Sequence, residues 1–186
     1  CRGWRVALTG RRADKLREAA DAVRAAGGTP LELVGSVTDP AEVAAHYAQI
    51  KAEWGGLDWA VLNAGVGDRM DAKEFKADQV RWTIETNVFG VAHWLEAVIP
   101  DMVAARSGTV AAVSSLAGFR GFPTAGPYSA SKAAVNALME SVRVDLRGTG
   151  VRSVTVCPGF VRSELTDRNL PGEMPFLLDT DDGVRR

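Results

Sequence analysis

The chain has 186 residues, 46% hydrophobic and 24% charged, with a formal net charge of −1. That length suits one domain spanning 1–186, able to bury roughly 70% of its unfolded surface, and the composition is that of a globular chain, not a disordered or fibrous one. The near-zero charge gives no electrostatic case for nucleic acid or an anionic membrane, and no apolar run is expected to be long and uninterrupted enough to cross a bilayer.

The opening "CRGWRVALTGRR" lacks the apolar stretch and cleavage site of a signal peptide, so the cytoplasm is the default location. Residues 5–9 then read as a strand, followed by an amphipathic helix over 13–26 that stops at Gly27-Gly28. A second strand covers 31–35. Asp39-Pro40-Ala41-Glu42 supplies an N-cap, a proline at the first helical position and an acid two residues on, opening a helix that runs to residue 54. A third strand over 57–62 ends in Asn63-Ala64-Gly65. The long helical pattern over 77–106 is expected to be disturbed near Asn87 and Gly90. A strand over 109–114, a helix over 128–147 and a strand over 152–157 complete the series.

Apolar strands separated by helices predict an α/β fold, a doubly wound parallel sheet covered on both faces. Such sheets bind ligands beyond the carboxyl ends of their strands. The chain's suggestive short motifs all fall there: "TGRR" (9–12), "GSV" (35–37), "NAG" (63–65), "SS" (114–115) and "PGFVRS" (158–163). The two cysteines, Cys1 and Cys157, have no metal-ligand spacing, and no metal is expected.

"YSASK" at 128–132 places Tyr128 and Lys132 four apart, on one helical face. A cation beside a phenol favours phenolate, which makes Tyr128 a candidate acid or base. The spacing alone decides nothing, because "YAQIK" at 47–51 repeats it with Tyr47 and Lys51 in mid-helix. Ser115, however, ends the strand that leads into the YSASK helix, and Asn87 lies in the preceding long helix. With "NAG" and "PGFVRS" this ordered set resembles the short-chain dehydrogenase/reductase family, from about residue 6 to residue 163.

The resemblance implies an oxidoreductase that moves a hydride between a nicotinamide cofactor and an alcohol or carbonyl substrate. Tyr128 would give or take the substrate proton. Lys132 would lower the Tyr128 pKa and hydrogen-bond the nicotinamide ribose. Ser115 would hold the substrate oxygen, and Asn87 would anchor a water linking Lys132 to solvent. Gly10, Arg11, Arg12, Ser36, Val37, Asn63, Ala64, Gly65, Pro158, Gly159, Val161 and Ser163, with Tyr128 and Lys132, would contact the cofactor. Gly10 stands where NAD-binding relatives carry an acid, and two arginines follow it, so NADP(H) is preferred, with NAD(H) as second choice. A catalytically silent nucleotide-binding or scaffold member of the fold is the alternative, and a hydrolase built on Ser115 would have only His46 and His93 as bases.

There are departures from the family pattern. Ser36 replaces an aspartate that bonds the adenine amine, Leu62 an asparagine, and Ser163 a threonine. The chain contains neither GxGxxG nor GxxxxGK, so the glycine-rich turn expected to hold the pyrophosphate is not seen, nor is the central strand of the order 3-2-1-4-5-6. The expectation is an incomplete or truncated sequence with an unpaired opening between the first and third strands seen here, the activity being that of the intact parent. After Ser163, the residues Leu165, Leu170, Met174, Phe176 and Leu177 resemble the family's substrate lid and suggest a partly apolar alcohol or ketone. Val88, Val91, Trp94, Leu95 and Val98 on one helix, and Ala133, Ala137, Leu138 and Val142 on another, suggest a second apolar stripe and a homodimer or homotetramer.

Overall fold

Two short parallel sheets form the frame of the computed structural model, which describes residues 3–168 and 174–185. Strand β1 (Arg5–Gly10) pairs with β2 (Thr29–Val34), from Arg5 opposite Thr29 to Gly10 opposite Val34. Strands β3 (Trp59–Leu62), β4 (Gly108–Val113) and β5 (Val151–Val156) form the second sheet in that order, with β4 between the other two. No ladder joins β1 to β3, so the opening expected between the first and third strands is present. The architecture is an incomplete doubly wound α/β fold.

Local chemistry explains the element boundaries. Helix α1 (Ala13–Ala25) ends where Gly27 adopts a φ of 78°, and α2 (Pro40–Trp54) begins at Asp39. The Asp39 carboxylate accepts from Ala41 N at 2.8 Å and Glu42 N at 3.3 Å, satisfying donors that the first turn leaves without intrahelical partners. Glu42 does not close a capping box with Asp39; its carboxylate accepts from the Ser36 backbone N–H and so ties α2 to the end of β2.

Helix α3 (Ala77–Ile84), a π-helical turn (Glu85–Phe89) and α4 (Gly90–Ala105) form one continuous stretch. The disturbance expected near Asn87 is therefore a widened turn and not a break. Ala77–Ala105 spans 29 residues and contains an 18-residue window with a mean hydropathy of 1.3, enough by length and composition to cross a membrane, contrary to the sequence-based expectation. Its apolar residues have another use. Val91, Trp94, Leu95, Val98 and Met102 belong to the core, with Ala60, Val110, Ala112, Val135 and Met139 from the sheet and from α5 (Gly126–Asp145). Fully burying an aliphatic side chain such as Val98 contributes about 1.5–3 kcal/mol.

This packing also corrects the reading of a second apolar stripe. Val91, Trp94, Leu95 and Val98 pack inward, and Val88 is half-buried against the same core. On α5, Ala133 and Ala137 are exposed while Leu138 and Val142 are partly buried. The opposite face of the three-stranded sheet is open among the described residues, with Trp59, Val61, Val154 and Val156 exposed.

Tyr47 is a further correction. Its position beside Lys51 suggests a chance surface pair, but Tyr47 is buried and donates to Asp101 Oδ2 at 2.9 Å, while Lys51 pairs with the same oxygen at 2.7 Å. The pair thus clamps α2 to α4. After β5 the chain makes an isolated parallel bridge between Val161 and Leu178 and ends the described region with the short α6 (Thr180–Arg185). Leu170, placed in the lid by sequence, and Cys1 lie outside the described residues.

Candidate active site

The carboxyl end of β4 and the first turns of α5 bring Ser115, Tyr128 and Lys132 together, and the π turn adds Asn87. Ser115 leaves β4 in extended conformation (φ −166°, ψ 157°) and accepts from Ala117 N at 3.1 Å, capping the 3-10 turn Leu116–Gly118. It also lines the same cavity as the Tyr128 phenol, near enough to oppose the rise in that phenol's pKa. Ser114 is buried and donates to the Lys132 carbonyl oxygen at 3.1 Å, tying the end of β4 to α5.

Lys132 is 4% exposed, and its Nζ donates to Val113 O at 2.8 Å. An ammonium has three donors, so two remain after that bond. Burial pulls its pKa from 10.5 down to about 8, the nearby Cys157 thiol acting weakly the other way. The sequence-based expectation that Lys132 depresses the Tyr128 pKa is not met in this geometry. Lys132 Nζ lies over the Tyr128 ring, 5.7 Å from its centroid, and not at the hydroxyl. Burial dominates and raises the phenol above its ordinary value of 10, opposed by the nearby Ser115 hydroxyl.

Asn87 is fully buried. Its Nδ2 donates to Val66 O at 2.8 Å and to Ser131 Oγ at 2.9 Å, and its Oδ1 accepts from Val66 N at 2.7 Å. Both amide donors are used and one lone pair on Oδ1 remains. Ser131 passes the connection on, donating to Tyr128 O at 2.7 Å. This buried serine, inside "YSASK" itself, was not singled out from sequence; the signal was a small polar residue on the helix face that also carries Tyr128.

Two glycines matter for close approach. A Cβ on Gly67 would come within 2.8 Å of Tyr128 Cδ2, so only glycine lets the 63–70 segment lie against the ring. A Cβ on Gly65 would sit 3.4 Å from Lys132 Nζ and 3.6 Å from Asn87 Oδ1, which places the "NAG" segment directly against the proposed catalytic residues.

The other predicted cofactor residues lie at or beyond the carboxyl ends of their strands. Asn63 and Ala64 are exposed beside Gly65. Pro158 O accepts from Leu116 N at 3.0 Å, joining the end of β5 to the Ser115 turn, and Gly159 lines a cavity with Ser115 and Tyr128. Val161 forms the bridge to Leu178, and Ser163 is held in a tight turn by Thr166 Oγ1, 2.8 Å from Ser163 N. Gly10 ends β1, Arg11 is exposed, and Arg12 pairs with Glu164 at 2.9 Å. Val37 O accepts from His93 Nδ1 at 2.9 Å, and Ser36 Oγ lies 2.8 Å from Thr38 Oγ1. His46 Nε2 lies 3.3 Å from Val34 O, so both histidines are engaged with backbone carbonyls other than those at Ser115.

Bare backbone at Gly65 and a buried ammonium with two further donors suit a polar cofactor laid across the strand ends. Among the described residues no cluster of His, Cys, Asp and Glu is fit to hold a metal ion.

A family model described as short chain dehydrogenase matches residues 1–173. An uncharacterized oxidoreductase of Myxococcus xanthus is 50% identical over 186 residues, covering 98% of this chain and 72% of that protein. The 2-(R)-hydroxypropyl-CoM dehydrogenase of Xanthobacter autotrophicus is 32% identical, covering 96% of this chain and 72% of its own length. The structure of a short chain dehydrogenase/reductase from Burkholderia phymatum in complex with NAD superposes with a TM-score of 0.83 at 26% identity, covering 94% of this chain and 71% of that one.

Proposed function

The chain belongs to the short-chain dehydrogenase family, a family of oxidoreductases, and on that premise we propose that it interconverts a carbonyl compound and its alcohol with NADP(H) as cofactor. The observation that carries the proposal is that Ser115 and Tyr128 line one wall of a cavity together, with the buried Lys132 ammonium over the Tyr128 ring.

The nicotinamide supplies the hydride in reduction and accepts it in oxidation. The protein's share is proton handling and orientation. Tyr128, a phenol whose pKa burial raises above 10, donates its proton to the carbonyl oxygen as the C=O double bond becomes C–OH. Ser115 holds that oxygen in place and stabilises the charge that develops on it. Lys132, still mostly protonated at pH 7, keeps positive charge behind the phenol as the phenolate forms and offers its remaining donors to a ribose hydroxyl. Asn87 offers its free Oδ1 lone pair to a water that resupplies the proton, its amide fixed by Val66 and Ser131.

NADP(H) is favoured over NAD(H) by Gly10, which places no carboxylate at the end of β1, and by Arg11. Arg11 is exposed there, whereas Arg12 is already paired with Glu164. A guanidinium binds a 2′-phosphate through paired donors. Arg11→Ala should cost about 1.5–3 kcal/mol in NADP(H) affinity and leave NAD(H) binding unchanged. Titration with both cofactors checks this, and equal losses would show that Arg11 shapes the loop without reading the phosphate. Consumption of the reduced cofactor on addition of a carbonyl panel tests the activity itself.

A homodimer is part of the proposal. It rests on the small exposed residues Ala133 and Ala137 of α5 and on Phe75 and Phe89, which are exposed on a groove along α3 and the π turn. Light scattering of the full-length protein at micromolar concentration should give at least twice the monomer mass; a monomer would rule out the interface.

A further inference from the structure

The cavity beside Tyr128 has a volume of about 610 Å³, within the range that takes drug-sized ligands. Two segments face each other across it, one following β4 and one following β5. Most of its wall is apolar: Leu116 and Phe122 from the first segment meet Phe160, Leu165 and Phe176 from the second. Leu116, Phe122 and Phe176 are 52%, 45% and 93% exposed, so this apolar surface has little protein packed on it among the described residues.

The polar lining is confined and largely spent. Thr166 Oγ1 donates to Val161 O and Ser163 O and accepts from Ser163 N. Asp68 and Arg69 both have partners already. The hydroxyls placed to meet a carbonyl oxygen are those of Ser115 and Tyr128, at one end. Strain marks the same cavity. Thr124 and Phe176 line it at φ values of 57° and 59°, where a β-branched or bulky residue is a genuine outlier. Backbone strain of that kind clusters at ligand clamps.

We infer that the site takes a carbonyl compound with a bulky apolar body, an aryl-alkyl or long-chain ketone, and rejects polyhydroxylated carbonyl compounds. The inference rests on the proposed roles of Tyr128 and Ser115, which fix where the carbonyl sits. An apolar body buries against Leu116, Phe122 and Phe160. A polyhydroxy chain in the same place would exchange water for walls that are mostly apolar, with few polar groups to meet its hydroxyls.

The test measures kcat/KM of the full-length protein for butyrophenone and for fructose, together with calorimetric binding of butyrophenone. The expected ratio is about a hundredfold or more in favour of the aryl ketone. Phe122→Ser and, independently, Leu165→Ser should each lower kcat/KM for the ketone about tenfold, through KM, with cofactor affinity unmoved. Equal or better turnover of fructose overturns the substrate class while leaving the proton chemistry of Tyr128 standing. Calorimetric binding of butyrophenone without turnover supports the cavity assignment and overturns the role of Tyr128. No binding and no turnover overturns both.

Discussion

Tyr128→Phe is expected to lower kcat by about 10²–10⁴-fold, the usual contribution of a positioned general acid, while cofactor affinity stays nearly unchanged. Phenylalanine keeps the ring against which Gly67 packs and over which Lys132 Nζ sits, so it removes only the hydroxyl that shares the cavity wall with Ser115. Retention of most of the wild-type kcat would remove Tyr128 from the chemistry. Tyr47→Phe is the matched control. Lys51 Nζ lies 5.8 Å from the Tyr47 ring centroid, almost the arrangement of Lys132 over Tyr128. Yet burial and the bond to Asp101 push the Tyr47 pKa up to about 12, and no cavity adjoins it among those described. Tyr47→Phe should leave kcat unchanged and cost about 1 kcal/mol of stability through the lost hydrogen bond.

Lys132→Met should separate activity from stability. Burial holds the Lys132 pKa near 8 instead of 10.5, so the folded state carries the charge at a cost of about 3 kcal/mol at pH 7, taking about 1.36 kcal/mol per pKa unit. Methionine, unbranched and apolar, escapes that cost but loses the bond to Val113 O, worth about 1 kcal/mol. The sign follows from proton counts. Below pH 8 the lysine is charged in both states and the penalty is full. Between about 8 and 10.5 the unfolded chain binds more protons, so wild-type stability rises with pH, and above 10.5 the penalty is gone. The variant should therefore be about 1–2 kcal/mol more stable than wild type at pH 7, with the advantage shrinking towards pH 10.5, and it should lose about 10² or more in kcat. Urea unfolding at several pH values checks the first part. A variant less stable at pH 7, or a difference independent of pH, would contradict the buried charge.

Much of this architecture was legible because it rests on local rules. Asp39-Pro40 marks the start of α2 by its capping chemistry alone, and the strands pair in parallel within each of the two sheets, as their separation by helices requires. Asn87 and Gly90 announced the π turn because neither suits the middle of a long helix.

What the residue pattern left hidden depends on burial and on distant partners. Four-residue spacing put a lysine near each of two tyrosines but could not say that burial would raise the Tyr128 pKa instead of lowering it. Nor could it show that Tyr47 reaches Asp101, 54 residues away, or that Ser131 connects Asn87 to the Tyr128 carbonyl. The inward packing of Val91, Trp94, Leu95 and Val98 was missed for a related reason. A helix packed on both a sheet and a second helix reads from sequence as having a spare apolar stripe, and here α2 is that second helix.

The central claim is that these residues carry out carbonyl reduction by hydride transfer with a protein-supplied proton. Mass spectrometry of the product tests it most directly, using a reduced nicotinamide cofactor deuterated at the transferring carbon, an apolar ketone and the full-length protein. The account predicts an alcohol carrying a single deuterium on the former carbonyl carbon, formed by the wild-type protein and not by the Tyr128→Phe variant. Product without deuterium, or equal labelled product from both proteins, would contradict it.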